Sequence, residues 1–115
     1  QGNMKKAIEL YEEARSLGHA KAMFNLGTFY QKQGNVKKAI ELYEEARSLG
    51  DADAMSNLGV LFEEQGNMKK AIELYEEARS LGDADAMFNL GVLYLEQGNM
   101  KKAIELYEEA RSLGH

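Results

Sequence analysis

Apolar residues recur along the chain at the spacing of a helix. Between positions 68 and 81 they follow at intervals of 3, 1, 3, 3 and 3, which is a helical rather than a strand period: Met68, Ala71, Ile72, Tyr75, Ala78 and Leu81. Asn67 is the predicted N-cap of this helix, which runs to Gly82. A preceding helix is predicted from Asp51, as its cap, to Gln65, with Gly66 as its stop.

This helix pair returns with a period of 32 residues, because Gln-Gly-Asn begins at positions 1, 33, 65 and 97. Residues 51–82 and 83–114 differ at only three positions. We therefore divide a single repeat domain, 1–115, into a half repeat (1–18) and full repeats 19–50, 51–82 and 83–114. Helices of ~15 residues are marginal alone and need stacking. The predicted fold is all-α, a right-handed α-solenoid of seven helices in antiparallel pairs, which begins and ends with the second helix of a repeat.

The full repeats resemble the tetratricopeptide family in seven spaced positions, with Met in place of Trp and Tyr in place of Phe. In residues 19–50 these positions are Met23, Leu26, Gly27, Tyr30, Ala39, Tyr43 and Ala46. The period of 32 is shorter than the usual ~34, and the family's late proline is absent. The join Leu-Gly-His/Asp-Ala-x-Ala-Met-x-x-Leu-Gly is similar instead to Sel-one-like repeats, without their longer loop. The chain thus resembles a hybrid of the two families, and both imply stacked helix pairs.

One glycine lies in the middle of each first helix, at Gly27, Gly59 and Gly91. Each costs roughly 1 kcal/mol of helix stability relative to alanine. A cost repeated in every copy predicts a close approach between helices. The small side chains of Ala39, Ala71 and Ala103 suit the same role.

Nearly all differences between the full repeats fall in the first helix or its cap. On a helical wheel the variable positions lie opposite the motif positions. The resemblance implies that this face lines a concave groove for peptides, with an asparagine at its edge that bonds the peptide backbone. The candidate binding residues are Lys21, Phe24, Asn25, Thr28, Lys32, Asp53, Asn57, Val60, Glu64, Asp85, Phe88, Asn89, Val92, Leu95 and Glu96. The same face is predicted to carry Gln31, Ser56 and Glu63.

The charge of this predicted groove changes along the chain. Lys21 and Lys32 make it basic in the first full repeat, whereas later repeats are acidic and carry an apolar stripe of Phe88, Val92 and Leu95 that is predicted to face solvent. We hypothesise a short peptide ligand with basic residues and an apolar anchor. Because basic residues are few, the family's carboxylate clamp is poorly supported. The alternative is that solvent-facing positions merely drift between copies.

Composition excludes several function classes. The 115 residues contain no cysteine, which removes disulfides and thiolate chemistry, and the net charge of −5 argues against nucleic acid. No apolar run reaches the ~18 residues of a membrane span. His19 and His115 are interpreted as solvated caps, and the Asp51/Asp53 pair lacks the spacing of a calcium loop. Glutamate pairs such as Glu12-Glu13 are interpreted as a solvated face.

We therefore predict a non-enzymatic protein- or peptide-binding module, without catalytic residues, metal or cofactor, that is soluble and most simply cytoplasmic. The alternative is a designed or structural repeat scaffold with no natural ligand. No polar capping helix is recognisable at either end, so self-association is expected through uncovered apolar residues: Met4, Ile8, Tyr11, Ile104, Tyr107 and Leu113. Because the chain starts at Gln1 rather than Met, we expect an excerpt of a longer protein or an engineered chain.

Overall fold

The computed structural model describes residues 2–114, and within them it contains seven α-helices and no strand. This confirms the predicted all-helical fold. Gln1 and His115, including the predicted cap role of that histidine, lie outside the described residues. The helices are α1 (Gly2–Ser16), α2 (Ala20–Lys32), α3 (Val36–Ser48), α4 (Ala52–Glu64), α5 (Met68–Ser80), α6 (Ala84–Glu96) and α7 (Met100–Ser112). We call α2, α4 and α6 the first helices and α1, α3, α5 and α7 the second helices.

The caps predicted at Asn67 and Asp51 and the stop predicted at Gly66 are present. Asn67 accepts a hydrogen bond from the backbone N–H of Lys70 at 3.2 Å, and Asp51 accepts one from that of Ala54 at 3.0 Å. His19 precedes α2 but makes no side-chain capping bond. Gly66 has a φ of +82°, the left-handed conformation that ends helices at low cost in glycine. Helix boundaries therefore follow from local chemistry.

The chain divides into two compact units, Gln1–Ala54 and Met55–His115, with the division in the first turn of α4. In unit 1, α2 packs against α1 and α3. In unit 2, α6 packs against α5 and α7. Each unit therefore contains both kinds of contact, between the helices of one repeat and between neighbouring repeats.

Each mid-helix glycine lies against a tyrosine ring of the second helix in its own repeat. A Cβ added at Gly59 would lie 2.4 Å from Cε1 of Tyr75, and the corresponding distance from Gly27 to Tyr43 is 2.7 Å. Real Cβ atoms essentially never come closer than 3.0 Å. The predicted close approach is confirmed, and its cause is the tyrosine ring. The alanines predicted to share this role are buried, at 0–1% exposure: Ala39, Ala71 and Ala103.

Candidate protein-binding surfaces

At the start of α2, in unit 1, two aspartates compensate the positive charge of Lys21. Lys21 Nζ lies 4.7 Å from the centre of the half-buried Phe24 ring, and it pairs with Asp51 at 3.1 Å and Asp53 at 2.9 Å. Burial lowers the pKa of Lys21, but the hydrogen bonds to Asp53 and Asp51 outweigh it and raise the pKa overall. The positive charge predicted here is thus met by two carboxylates, and Lys32 is the exposed cation at the other end of α2.

Two residues assigned to the groove from sequence serve the buried tyrosines instead. The hydroxyl of Tyr43 donates to Gln31 Oε1 at 2.7 Å, and that of Tyr75 donates to Glu63 Oε1 at 2.9 Å. Burial, followed by the bond to Glu63, raises the pKa of the Tyr75 hydroxyl above its usual range. Gln31 and Glu63 are half-buried and fix the ring that packs against the glycine.

A cavity of about 530 Å³ lies between α1 and α2. Its lining includes three residues predicted for the binding face, Asn25, Thr28 and Lys32. The Thr28 hydroxyl donates to the Phe24 carbonyl at 3.0 Å, so it is partly engaged within its own helix. The remaining lining residues were not assigned to a binding face from sequence, although two of them were expected to be uncovered: Met4, Ala7, Tyr11 and Phe29.

The unit 2 surface of α6 carries the predicted apolar stripe. Phe88 and Leu95 are each 46% exposed, and Val92 between them is half-buried. The Phe88 ring leans on Tyr107, with ring centres 5.7 Å apart. These positions are separated by four and three residues and share one helix face. Asp85 and Glu96 lie at opposite ends of the stripe and are exposed. Of the other predicted binding residues in this unit, Glu64 is exposed, and three are half-buried: Asn57, Val60 and Asn89.

The prediction that Ser56 faces solvent is wrong. Ser56 is 5% exposed, and its hydroxyl donates to Asp83 Oδ2 at 2.7 Å. Asp83 is the N-cap of α6, where its Oδ1 accepts the backbone N–H of Asp85. The small hydroxyl therefore connects one first helix to the cap of the next. Phenylalanine occupies the equivalent positions, Phe24 and Phe88, and has no such donor.

The glutamate pairs of the second helices are not only a solvated face. Arg15 binds Glu12 at 3.1 Å and forms a two-pronged pair with Glu45 of α3. Arg79 likewise binds Glu109 of α7 at 2.9 Å. The hydrogen bond from Arg15 holds the pKa of Glu45 below its usual value despite the opposing effect of burial. These pairs connect successive second helices, and the constant Glu-Glu-Ala-Arg of every second helix is their sequence signal.

Residues 2–114 hold no group of three or more His, Asp or Glu side chains placed to bind a metal ion. None of their helices is long and apolar enough to cross a membrane.

Comparison with protein families gives matches along most of the chain. The tetratricopeptide repeat family matches residues 18–81 and, through a second model, residues 84–113. The Sel1 repeat family matches residues 1–19. A search of curated proteins gave no match.

Several solved structures are similar to nearly the whole chain. One is a protective antigen present in uropathogenic Escherichia coli strains that displays an SLR fold, with TM-score 0.82, 29% identity and coverage of 94% of this chain and 26% of that chain. A Sel1 repeat protein from Oxalobacter formigenes has a TM-score of 0.81 and 30% identity, and the match covers 94% of this chain and 49% of that chain. MamA has a TM-score of 0.73 and 28% identity, and the match covers 91% of this chain and 65% of that chain. This chain thus spans less than two thirds of each of these proteins.

Proposed function

This chain belongs to the tetratricopeptide repeat family, whose repeats generally mediate contacts between proteins, and from this premise we propose that it binds peptides through the exposed faces of its first helices. The observation that carries the proposal is the apolar stripe of α6. Phe88 and Leu95 remain 46% exposed on a helix whose other large apolar side chains are buried or half-buried. The ligand we propose is a short peptide with an apolar anchor and basic residues.

The stripe of α6 supports an apolar anchor. Phe88, Val92 and Leu95 offer a continuous row on one helix face. Because Phe88 and Leu95 are each 46% exposed, covering the rest of either side chain stabilises a complex by roughly 1 kcal/mol, about half the value for full burial. The Phe88 ring already rests against Tyr107, so less ring motion is lost on binding than for an unsupported side chain. The role we assign to these side chains is that of a preformed contact for an apolar residue.

The charges around the stripe support a basic ligand. Asp85 and Glu96 are exposed at its two ends. Opposite charges outside the apolar centre act mainly on association rate and selectivity, and their effect falls with salt. In unit 1, two aspartates compensate the charge of Lys21, so the attraction of α2 for an acidic peptide falls to the exposed Lys32.

A test of the stripe can use a residue from the other repeat, because Glu63 of α4 occupies the position equivalent to Leu95 of α6. Binding of fluorescent peptides with one Leu or Phe, in a basic and an acidic version, should be measured by anisotropy. We expect the basic version to bind more tightly and Leu95→Glu to weaken it by about tenfold or more, or roughly 1.4 kcal/mol. The control Met68→Glu alters an apolar residue of α5 that is 39% exposed and outside the stripe. Equal binding of both peptides, or equal loss in both variants, would contradict the proposal.

The alternative is a repeat scaffold without a ligand, favoured by the near-identity of residues 51–82 and 83–114. A scaffold gains stability with added repeats and needs no diversified face. It predicts that no peptide binds in the experiment above, and that each added copy of residues 51–82 raises the melting temperature.

We also infer self-association through exposed apolar side chains of the second helices. Of the residues predicted to be uncovered, Met4, Ile104 and Leu113 are 47%, 50% and 53% exposed, whereas Ile8, Tyr11 and Tyr107 are half-buried. Such residues gain stability when covered by another chain. Light scattering over a range of concentrations tests this inference, and a monomer at the highest concentration would contradict it.

A further inference from the structure

Unit 1 carries five lysines at one end of its helices. Because three-residue turns join α1 to α2 and α2 to α3, and these pairs pack together, the three helices are antiparallel. The start of α1, the end of α2 and the start of α3 therefore lie at the same edge. We call the lysines of this edge the basic edge: Lys5, Lys6, Lys32, Lys37 and Lys38. The amine-bearing side chain of Lys38 is half-buried, and the other four are exposed.

The charges of the basic edge are not compensated. At the opposite end of the same helices, all three cations are paired with carboxylates: Arg15, Lys21 and Arg47. Within residues 2–114, no such ion pair involves a lysine of the basic edge. The basic edge is thus a local concentration of positive charge on a chain whose net charge is −5.

The basic edge is specific to unit 1, and the cause is one position of the first helices. Lys32 ends α2, whereas the equivalent residues of α4 and α6 are the exposed Glu64 and Glu96. A pair of lysines begins every second helix, so the pairs of α5 and α7 share their edge with carboxylates in unit 2. The end of the first helix therefore decides which edge is basic.

One amine of the basic edge is held in place by an aromatic ring. Lys38 Nζ lies 5.5 Å from the centre of the Tyr30 ring. A lysine over an aromatic face keeps its charge, and the contact restricts its side chain. A side chain that is already restricted loses less conformational freedom when a ligand binds. Lys38 is therefore prepared for an anionic group in a way that a freely moving lysine is not.

The size and chemistry of the basic edge favour a short acidic segment of a protein over a nucleic acid or an anionic membrane. Neighbouring helix axes lie about 8–10 Å apart, so three helix ends span at most about 20 Å, the length of about six extended residues. A longer polyanion extends beyond the edge and meets a molecule of net charge −5. None of the five cations is an arginine, the residue best suited to two-pronged contacts with phosphate.

We propose that the basic edge binds a short, extended segment of a partner protein that is rich in Asp or Glu. The site differs from the α6 stripe, which takes a basic peptide with an apolar anchor, and it does not depend on that proposal. Its contacts are charge pairs at the surface without an apolar centre. Binding should therefore be weaker than at the stripe and should fall steeply as salt is added.

The probe is a blocked, fluorescently labelled peptide of about eight residues that alternates Glu and Ser, long enough to cover the three helix ends. A peptide that alternates Gln and Ser is the neutral comparison. Anisotropy against the full 115-residue chain at low ionic strength should give saturable binding of the Glu peptide and none of the Gln peptide.

Two charge reversals locate the site. Lys37→Glu should weaken binding of the Glu peptide about fivefold or more. Lys69→Glu is the matched control, because Lys69 is the equivalent exposed residue of α5 and its reversal changes the net charge equally; binding should stay within about twofold. A glutamate in the first turn of a helix is favoured by the helix dipole, so both variants should keep the wild-type melting temperature.

No binding of the Glu peptide would overturn the proposal. Equal losses in Lys37→Glu and Lys69→Glu would also overturn it, because they would assign the binding to net charge. Vesicles of phosphatidylserine and phosphatidylcholine, and a single-stranded oligonucleotide, should be tested with the same variants. Tighter binding of either, with the same dependence on Lys37, would assign the edge to that class of partner instead. Leu95→Glu should weaken the basic peptide of the α6 stripe and not the Glu peptide, so the two proposals fail separately.

Discussion

Substituting Gly59 by alanine tests the packing between α4 and α5. The new Cβ would lie 2.4 Å from Cε1 of Tyr75, well inside the 3.4 Å at which ordinary contact begins. The ring has little room to yield, because Tyr75 is 0% exposed and its hydroxyl is bonded to Glu63 at 2.9 Å. We expect an overpacking cost near the upper end of the usual range, about 3 kcal/mol. Because alanine also favours the helix over glycine by about 1 kcal/mol, the free energy of unfolding should fall by about 2 kcal/mol in total.

Gly91→Ala is the matched comparison, because α5 and α7 have the same sequence. The Cβ would lie 2.6 Å from Cε1 of Tyr107, but that tyrosine is half-buried and can move outward. We therefore expect a smaller loss than for Gly59→Ala. Both variants should be measured by urea unfolding followed by circular dichroism, with hydrogen exchange of the α5 and α7 amides to localise the effect.

In a chain that also carries Tyr75→Leu, the effect of Gly59→Ala on the free energy of unfolding should reverse its sign. With the ring removed, Gly59→Ala should stabilise the protein by about 1 kcal/mol, since only the helix propensity term remains. The reasoning is refuted if Gly59→Ala is neutral or stabilising in the wild-type chain, or if it has the same effect in both backgrounds.

Three further changes test other contacts by urea unfolding. Asn67→Ala removes the N-cap of α5 and should cost about 1 kcal/mol, whereas Asn67→Asp should cost little; equal losses would contradict a capping role. Ser56→Ala removes the donor to Asp83 and should cost about 1 kcal/mol, and Ser56→Thr, which keeps the hydroxyl, should lose less. Glu45→Gln removes the pair with Arg15 and should cost only about 0.5 kcal/mol at pH 7, because both groups are partly solvated. Since the folded pKa of Glu45 lies below its ordinary 4.5, this difference is present above that value and should disappear as the pH falls through the folded pKa. A pH-independent difference would contradict the ion pair.

The helices could be predicted from sequence because their signals are local. An asparagine caps the start of α3, α5 and α7, and a glycine follows the end of every second helix, so these helix ends are set by residues close in sequence. The period of 32 then gives the number of helices. The mid-helix glycines predict a close contact between helices, but they do not identify the residue on the other side of it. The partner, a tyrosine 16 residues further on, needed the packed structure.

The roles of single side chains on the variable face could not be predicted, because they depend on neighbouring helices. A helical wheel places Ser56, Gln31 and Glu63 on one face, but it contains no neighbouring helix. In the structure Ser56 bonds the cap of α6, and the other two bond tyrosine hydroxyls. Residues on a face predicted to be open are thus divided between structural contacts and exposed surface.

The comparison of α5 with α7 shows why sequence similarity between repeats does not transfer a role from one copy to the next. Both helices read Met-Lys-Lys-Ala-Ile-Glu-Leu-Tyr-Glu-Glu-Ala-Arg-Ser. Tyr75 is nevertheless 0% exposed while Tyr107 is half-buried, and Ile72 is half-buried while Ile104 is 50% exposed. Since the residues are the same, only the surrounding helices can account for the difference. The burial of a repeated side chain, and with it the role that the side chain can take, is therefore decided by the helices packed against it and not by the repeat sequence alone.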